Sequence, residues 1–250
     1  MNSLVSIITP CYNSGQFIGE TIESVLSQSY QNWEMIIVDD CSTDISSQII
    51  RKYAACDSRI KYLKTEVPSG SPTLPRNIGI KNAAGRFIAF LDSDDIWLPT
   101  KLSEQIKLFD DESVAIVYAN YEKVNEKGDR NNRIIIAPFC VSYRNLLKGN
   151  VIGCLTAIFD VQKVGKVFFQ KVGHEDFVMW LSILKKGFVA RNTNTVLALY
   201  RVQNTSLSSN KLTALSWTWN IYRNIENLPW YSSCFYFLHY AFRSGLKYLK

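Results

Sequence analysis

Phe87-Ile-Ala-Phe-Leu-Asp-Ser-Asp-Asp-Ile-Trp-Leu-Pro99 is the stretch that decides the fold. Five apolar residues run straight into Asp92, Asp94 and Asp95. An apolar run this short reads as a buried strand. The carboxylates at its end cannot join a core, because unpaired buried charge is too costly. They must meet water, a cation or a polar ligand. A strand that carries carboxylates to a sheet edge can hold a divalent metal against a phosphorylated substrate.

Upstream, Leu4 to Thr9 reads as a first buried strand, stopped by Pro10 and followed by the turn Tyr12-Asn-Ser-Gly15. Phe17, Ile18, Ile22, Val25 and Leu26 recur at helical spacing. Glu34 to Asp39 is a second strand ending in acids, and Asp40 to Asp44 is a loop and helix cap before a helix through Ile49, Ile50 and Tyr53. Ile60 to Lys64 is a third strand, and Leu74 to Asn82 a short helix. Downstream come a helix from Thr100 to Phe109 and a strand from Val114 to Ala119. Strands and helices alternating at these lengths predict a parallel α/β sheet with helices on both faces. Ligands bind at the carboxyl ends of such strands. Thr9/Pro10, Asp39/Asp40 and Asp92/Asp94 all fall there and converge on one crevice.

No glycine fingerprint follows the first strand and no P-loop occurs, so carboxylates and a metal replace glycine-lined amides as the diphosphate holder. From 120 to 170 the pattern loosens. Asn120 to Arg133 reads as a hairpin or loop, and Ile134–Ile136 and Leu155–Phe159 as strands. Glu175 and Asp176 then open an apolar periodic helix, and Val189 to Tyr200 is extended.

The 250 residues suffice for one large domain or one domain with an appendage. Six scattered cysteines without a C-x-x-C pair argue against a zinc site and a disulfide framework, and for a reducing compartment. The first ten residues lack a basic region and reach Pro10 too soon for a signal peptide, so the Asn204-Thr-Ser206 sequon carries no weight. Net charge is +6, and six Lys/Arg against the single Glu226 after residue 200 leave about +1 before it. That tail is aromatic as well as basic, so its anionic partner is a membrane surface and not nucleic acid.

Together these motifs resemble the family 2 glycosyltransferases, inverting enzymes of the GT-A fold. The matching residues are Ser6 to Asn13, Val38 to Asp44, Arg76-Asn-Ile-Gly79, Leu91 to Trp97, His174-Glu-Asp176 and Tyr200-Arg201 with Ser206 and Ser208. They run in the family's order over roughly residues 3–208. The resemblance implies a GT-A catalytic domain over 1–208, a mostly parallel sheet flanked by helices, and a helical C-terminal extension over 209–250. Many members carry a histidine two residues after the Tyr-Arg pair, where this chain has Gln203. The Q-x-x-R-W signature of processive synthases is absent, which points to transfer of one sugar.

By resemblance, Pro10, Tyr12, Asn13, Asp40 and Arg76 bind the nucleotide, Asp92 the ribose, and Asp94 with Asp92 a Mn²⁺ or Mg²⁺ ion. Arg201 either contacts the diphosphate or pairs with an acid. Asp176 is the general base, with Glu175 the second candidate. Asp95 holds the loop and starts the next helix, and Trp97 and Trp180 pack. The implied reaction moves glucose or galactose from a UDP-sugar to a sugar on a polyprenyl diphosphate lipid. It forms a β-linkage, in O-antigen or capsule assembly at the cytoplasmic face of a bacterial inner membrane.

Leu228 to Phe242 is apolar and aromatic, too short for a confident span, with Arg243, Lys247 and Lys250 following. It reads as an interfacial helix that can also pack on the domain. A nucleotidyltransferase would carry a glycine-rich loop and lysine after the first strand, and this chain does not. The remaining alternative is a non-catalytic sugar-nucleotide-binding or scaffold protein derived from a transferase, against which Asp94 and Asp176 speak.

Overall fold

A computed structural model describes residues 3–202 and 211–246. Gln203, Asn204, Ser206, Ser208, Lys247, Lys250 and the Arg243 side chain lie outside the described residues.

The first half alternates as its pattern predicts: β1 (Val5–Cys11), α1 (Ile18–Leu26), β2 (Trp33–Asp39), α2 (Ser46–Cys56), β3 (Ile60–Lys64), α3 (Thr73–Asn82) and β4 (Phe87–Phe90). β1, β2 and β4 are buried along their whole lengths. They pair in parallel, β2 and β4 flanking β1, with β3 outside β2. α1 turns Ile18, Ile22 and Val25 into the core, the 3.6-residue spacing of its sequence. α3 lies so close over β1 that a Cβ at Gly79 would collide with the Ile8 side chain, so glycine is what permits the approach.

The second half is β5 (Ile96–Trp97), α4 (Lys101–Ile106), β6 (Val114–Val124), β7 (Arg130–Ile135), β8 (Cys140–Val141), α5 (Tyr143–Leu146), β9 (Ile158–Asp160), α6 (Val161–Val164), α7 (Glu175–Leu184) and β10 (Val189–Arg201). The sheet order is β3-β2-β1-β4-β9-β6-β10-β5, with β7 beside β6 and β8 beside β10. The sheet is therefore mixed and not simply parallel. β9 enters antiparallel between β4 and β6. Its chain arrives from a 3₁₀ turn, Cys154–Thr156, so the strand can only run back from that turn, pairing Ile158 with Ala89 and Asp160 with Phe87. The predicted strand from Leu155 is thus shorter and reversed, and the 120–133 segment is the end of β6 and a β6–β7 hairpin.

Apolar side chains fill both faces of the sheet. One cluster centres on Ile8, Ile36, Phe90, Phe159 and α7, the other on Ile7, Ile37, Phe87 and α1. The C-terminal segment is α8 (Lys211–Asn220), a π turn (Ile221–Ile225) and α9 (Trp230–Leu246). It packs on the first cluster: Ile221 and Tyr222 are buried, and the Tyr222 hydroxyl donates to Leu147 O at 2.5 Å. Glu226 joins in, pairing with Lys185 at 2.9 Å and accepting from Tyr143 at 2.6 Å.

Candidate active site

β1, β2 and β4 end at the same edge, where Cys11 lies opposite Asp39. Their following loops enclose a cavity of about 500 Å³ lined by Pro10, Tyr12, Asp40, Arg76, Asp92 and Asp94, among others. These predicted residues come together. Asp40 is buried and accepts from Thr65 Oγ1 at 2.9 Å and from the Ser69 hydroxyl and N–H at 2.8 and 3.0 Å. The carboxylate thereby shapes the loop that forms the opposite wall. Asp39 faces inward and accepts from Ser42 N and the Tyr62 hydroxyl. Asn13 adopts a left-handed φ of 47° and ties the end of β1 to the next loop by accepting from Thr43 N at 2.8 Å. It is not a wall of the cavity.

The three aspartates divide. Asp92 pairs with Arg76 at 2.6 Å. Arg76, delivered by α3 and buried, also pairs with Glu175 at 2.5 Å, so one guanidinium bridges the acidic loop and α7. Asp94 faces the cavity. Asp95 is buried; its Oδ1 accepts from Arg201 N at 2.9 Å and its Oδ2 has no partner. Burial and the neighbouring Asp94 and Asp92 push the Asp95 carboxyl well above its usual range, favouring its neutral form. It holds the loop, but the next element is β5, hydrogen-bonded to β10, rather than a helix.

Arg201 at the end of β10 is buried and engaged with protein. Its guanidinium pairs with Glu20 at 2.5 Å and donates to Asp94 O at 2.9 Å and Glu126 O at 2.6 Å. It therefore clamps the acidic loop between α1 and the β6–β7 turn. Trp97 and Trp180 are both buried, as expected of packing residues.

Asp176 lies in the first turn of α7 and lines a second cavity of about 360 Å³. Its Oδ2 accepts from Asn150 Nδ2 at 2.9 Å and its Oδ1 from Phe177 N at 2.8 Å. Burial raises the Asp176 carboxyl above its ordinary value, while the Phe177 N–H, Arg76, His174 and Asn150 hold it down. Glu175 points the other way, to Arg76 and the Thr73 hydroxyl. Burial raises its carboxyl too, against the pull of Thr73 and Arg76. Arg76 lines the first cavity, pairs with Glu175 and draws on Asp176 through its charge, so the start of α7 is tied electrostatically to the first cavity. Cys154 lies within the field of Arg76, Asp92, Asp176 and Glu175, and burial keeps its thiol protonated well beyond the usual range.

Asn150, Lys148, Tyr121 and Tyr240 line this second cavity and have no signal in the sequence. Each sits in a segment without a motif, and Tyr240 comes from α9, 64 positions beyond Asp176. Gly149, with φ 136°, turns the chain between Lys148 and Asn150 so that both reach the cavity.

The donor set suits a hard cation. Asp92 and Asp94 offer oxygens at the cavity wall, and Asp92 is already shared with Arg76. Among the described residues no group of three or more His, Cys, Asp and Glu side chains could hold a metal unaided. A cation fits here when a diphosphate supplies most of its ligands. The His174 ring packs edge-on against Trp217 at 5.5 Å.

The chain matches the family model described as glycosyl transferase family 2 over residues 6–165. It is 40% identical over 241 residues to the Escherichia coli protein named UDP-Glc:alpha-D-GlcNAc-diphosphoundecaprenol beta-1,3-glucosyltransferase WfgD, covering 95% of this chain and 92% of that protein. Two solved structures share the fold. S. aureus TarS 1-349 in complex with UDP-GlcNAc has a TM-score of 0.69 and 23% identity, over 88% of this chain and 66% of that one. The mannosyltransferase PcManGT from Pyrobaculum calidifontis, in complex with GDP-Man and Mn²⁺, has a TM-score of 0.67 and 18% identity, over 91% and 65%. The chain thus spans just under two thirds of these solved chains. With the family pattern running from β1 through the acidic loop and past β9, and a relative matched along nearly its whole length, the chain belongs to glycosyl transferase family 2 and is a glycosyltransferase.

Proposed function

We propose that this enzyme moves one hexose, glucose before galactose, from a UDP-sugar to a sugar on a polyprenyl diphosphate lipid. The anomeric centre inverts, and the β-linked product is a repeat-unit intermediate of a bacterial surface polysaccharide. One observation carries the reading: Asp176 lines the second cavity while its neighbour Glu175 is tied through Arg76 to the wall of the first. The printed name of the 40% identical relative supports UDP-glucose and a GlcNAc-diphosphate lipid as the pair to try first.

In this reading the first cavity takes the UDP moiety. Pro10 and Tyr12 offer apolar surface to the base, Asp40 a carboxylate to its imide N–H, and Asp92 an acceptor to the ribose. A Mn²⁺ or Mg²⁺ ion at Asp94 and Asp92 would neutralise charge on the departing diphosphate. Arg76 bridges Asp92 and Glu175 and fixes the start of α7. Arg201 positions Asp94 through its backbone. Asp176 takes the proton of the acceptor hydroxyl as that oxygen attacks. Asn150 orients the carboxylate, and its burial makes it a stronger base than an exposed aspartate.

We assign α9 to the membrane surface. Tyr231, Phe235, Leu238 and Phe242 are exposed at helical spacing, while Tyr236 and Phe237 pack on the core. The excess of cations after residue 200 complements anionic lipid. No helix among the described residues is long and apolar enough to cross a membrane.

The test is incubation of the purified chain with UDP-glucose, Mn²⁺ and a synthetic GlcNAc-diphosphate lipid, followed by NMR of the product. A β-linked disaccharide is expected. An α-linkage, or UDP release with no disaccharide from any UDP-hexose, would sink the reading.

A further inference from the structure

We infer that Lys148 is the group that recognises the acceptor's diphosphate, an inference that rests on the lipid-linked reading above. The Asp176 cavity is lined by Ile135, Ile136, Val151 and Ile152 and by the rings of Tyr121 and Tyr240. Lys148 and Asp176 are the charged side chains on its lining. Lys148 is intermediate in exposure, and among the described residues its ammonium has no hydrogen bond or ion pair. It is not paired with Asp176, which is held instead by Asn150 and Phe177 N.

An ammonium on the cavity lining with no protein counter-ion is available to meet an anion by a charge-assisted hydrogen bond. A cavity carrying the carboxylate of Asp176 also repels an anionic acceptor unless a cation shares it. The local chain sets the separation. After α5 the backbone turns through Gly149, whose N–H donates to Leu146 O at 2.9 Å. Lys148 precedes that turn and Asn150, the partner of Asp176, follows it, and both line the cavity. The Tyr240 ring rests on the turn, 3.6 Å from where a Gly149 Cβ would stand. The cavity that holds both cation and base therefore carries an aromatic ring from α9, the helix whose other face bears the exposed apolar stripe. A sugar lying against Tyr240 presents a hydroxyl to Asp176 while its diphosphate meets Lys148. The lipid beyond leaves on the side of α9.

The experiment compares two acceptors of the same sugar, a GlcNAc-diphosphate lipid and a neutral alkyl GlcNAc glycoside, in the wild type, K148A and K148R. The wild type should prefer the diphosphate acceptor. In K148A that preference should fall about tenfold, through KM and not kcat, the scale of one charge-assisted hydrogen bond. K148R should restore most of it, and UDP affinity measured by calorimetry should not move. Equal losses on both acceptors, or none on either, would overturn the role of Lys148. A wild type that ignores the diphosphate acceptor but glycosylates the neutral one would instead overturn the lipid-linked reading, and the inference with it.

Discussion

The two cavities are built in different ways. The first is assembled from the ends of parallel strands. Pro10 lies near the end of β1, Asp40 directly follows β2 and Asp92 comes two residues after β4, and adjacent strands bring them together by pairing alone. The second is assembled from pieces with no common register. Tyr121 comes from β6, Lys148 and Asn150 from a turn after α5, Asp176 from α7 and Tyr240 from α9. A sheet edge fixes a site shared by many sequences, whereas a wall of separate segments can be altered one segment at a time. In the proposed reading the first cavity is the nucleotide half of the site and the second the acceptor half, with Arg76 tied to the wall of the first and to the start of α7.

The division is broken most severely at Asp176. D176N should lower kcat by a factor on the order of a hundred to ten thousand, as loss of a general base does, with UDP affinity unchanged. A parallel loss of UDP binding would mean that the carboxylate belongs to the first cavity.

That half of the site was hard to read in the sequence for a physical reason. Asp92, Asp94 and Asp40 announce themselves because charge directly after a buried strand has no place in a core. Lys148 and Tyr240 announce nothing, because a lysine after a short helix and a tyrosine in an apolar helix are ordinary until tertiary packing sets them beside Asp176. The same contrast holds for the fold. The alternating first half follows from its periodicity. β9, three residues long and buried, gives no period from which its reversed direction could be inferred. Arg201 shows the limit of motif reading, since a buried guanidinium held by Glu20, Asp94 O and Glu126 O acts on the site through the loop it clamps.

On the first-cavity side, D94A should cost about a hundredfold in turnover and shift the Mn²⁺ requirement to higher concentration, with metal titration as the measure. Calcium in place of Mn²⁺ serves as the control for binding without turnover. The joint itself is tested by R76A. Removing the guanidinium leaves Asp92 and Glu175 facing each other half-buried, which should destabilise the fold by about 3 kcal/mol in denaturant titration and weaken UDP binding. R76A with native stability would contradict the bridging role.

Smaller effects sharpen the acceptor side. N150A should lower kcat about tenfold without changing UDP affinity, the loss of one hydrogen bond to a charged group. Substituting serine at Tyr231, Phe235, Leu238 and Phe242 together should reduce cosedimentation with anionic vesicles several-fold, because those side chains supply apolar area and no core contact. Deleting α9 is a poorer probe, since Tyr240 walls the acceptor cavity and Tyr236 and Phe237 pack on the core.

The most direct test of Asp176 as base is the pH dependence of acceptor turnover at saturating UDP-sugar and Mn²⁺. The carboxylate is the active form, so turnover should rise with pH through the Asp176 pKa. Burial places that acidic limb above the range of an exposed aspartate. N150A, which loses a hydrogen bond to the ionised form, should move the limb higher still. The wild type should show this limb, and the residual activity of D176N should lack it. An unchanged limb in D176N would contradict the role of Asp176 as base.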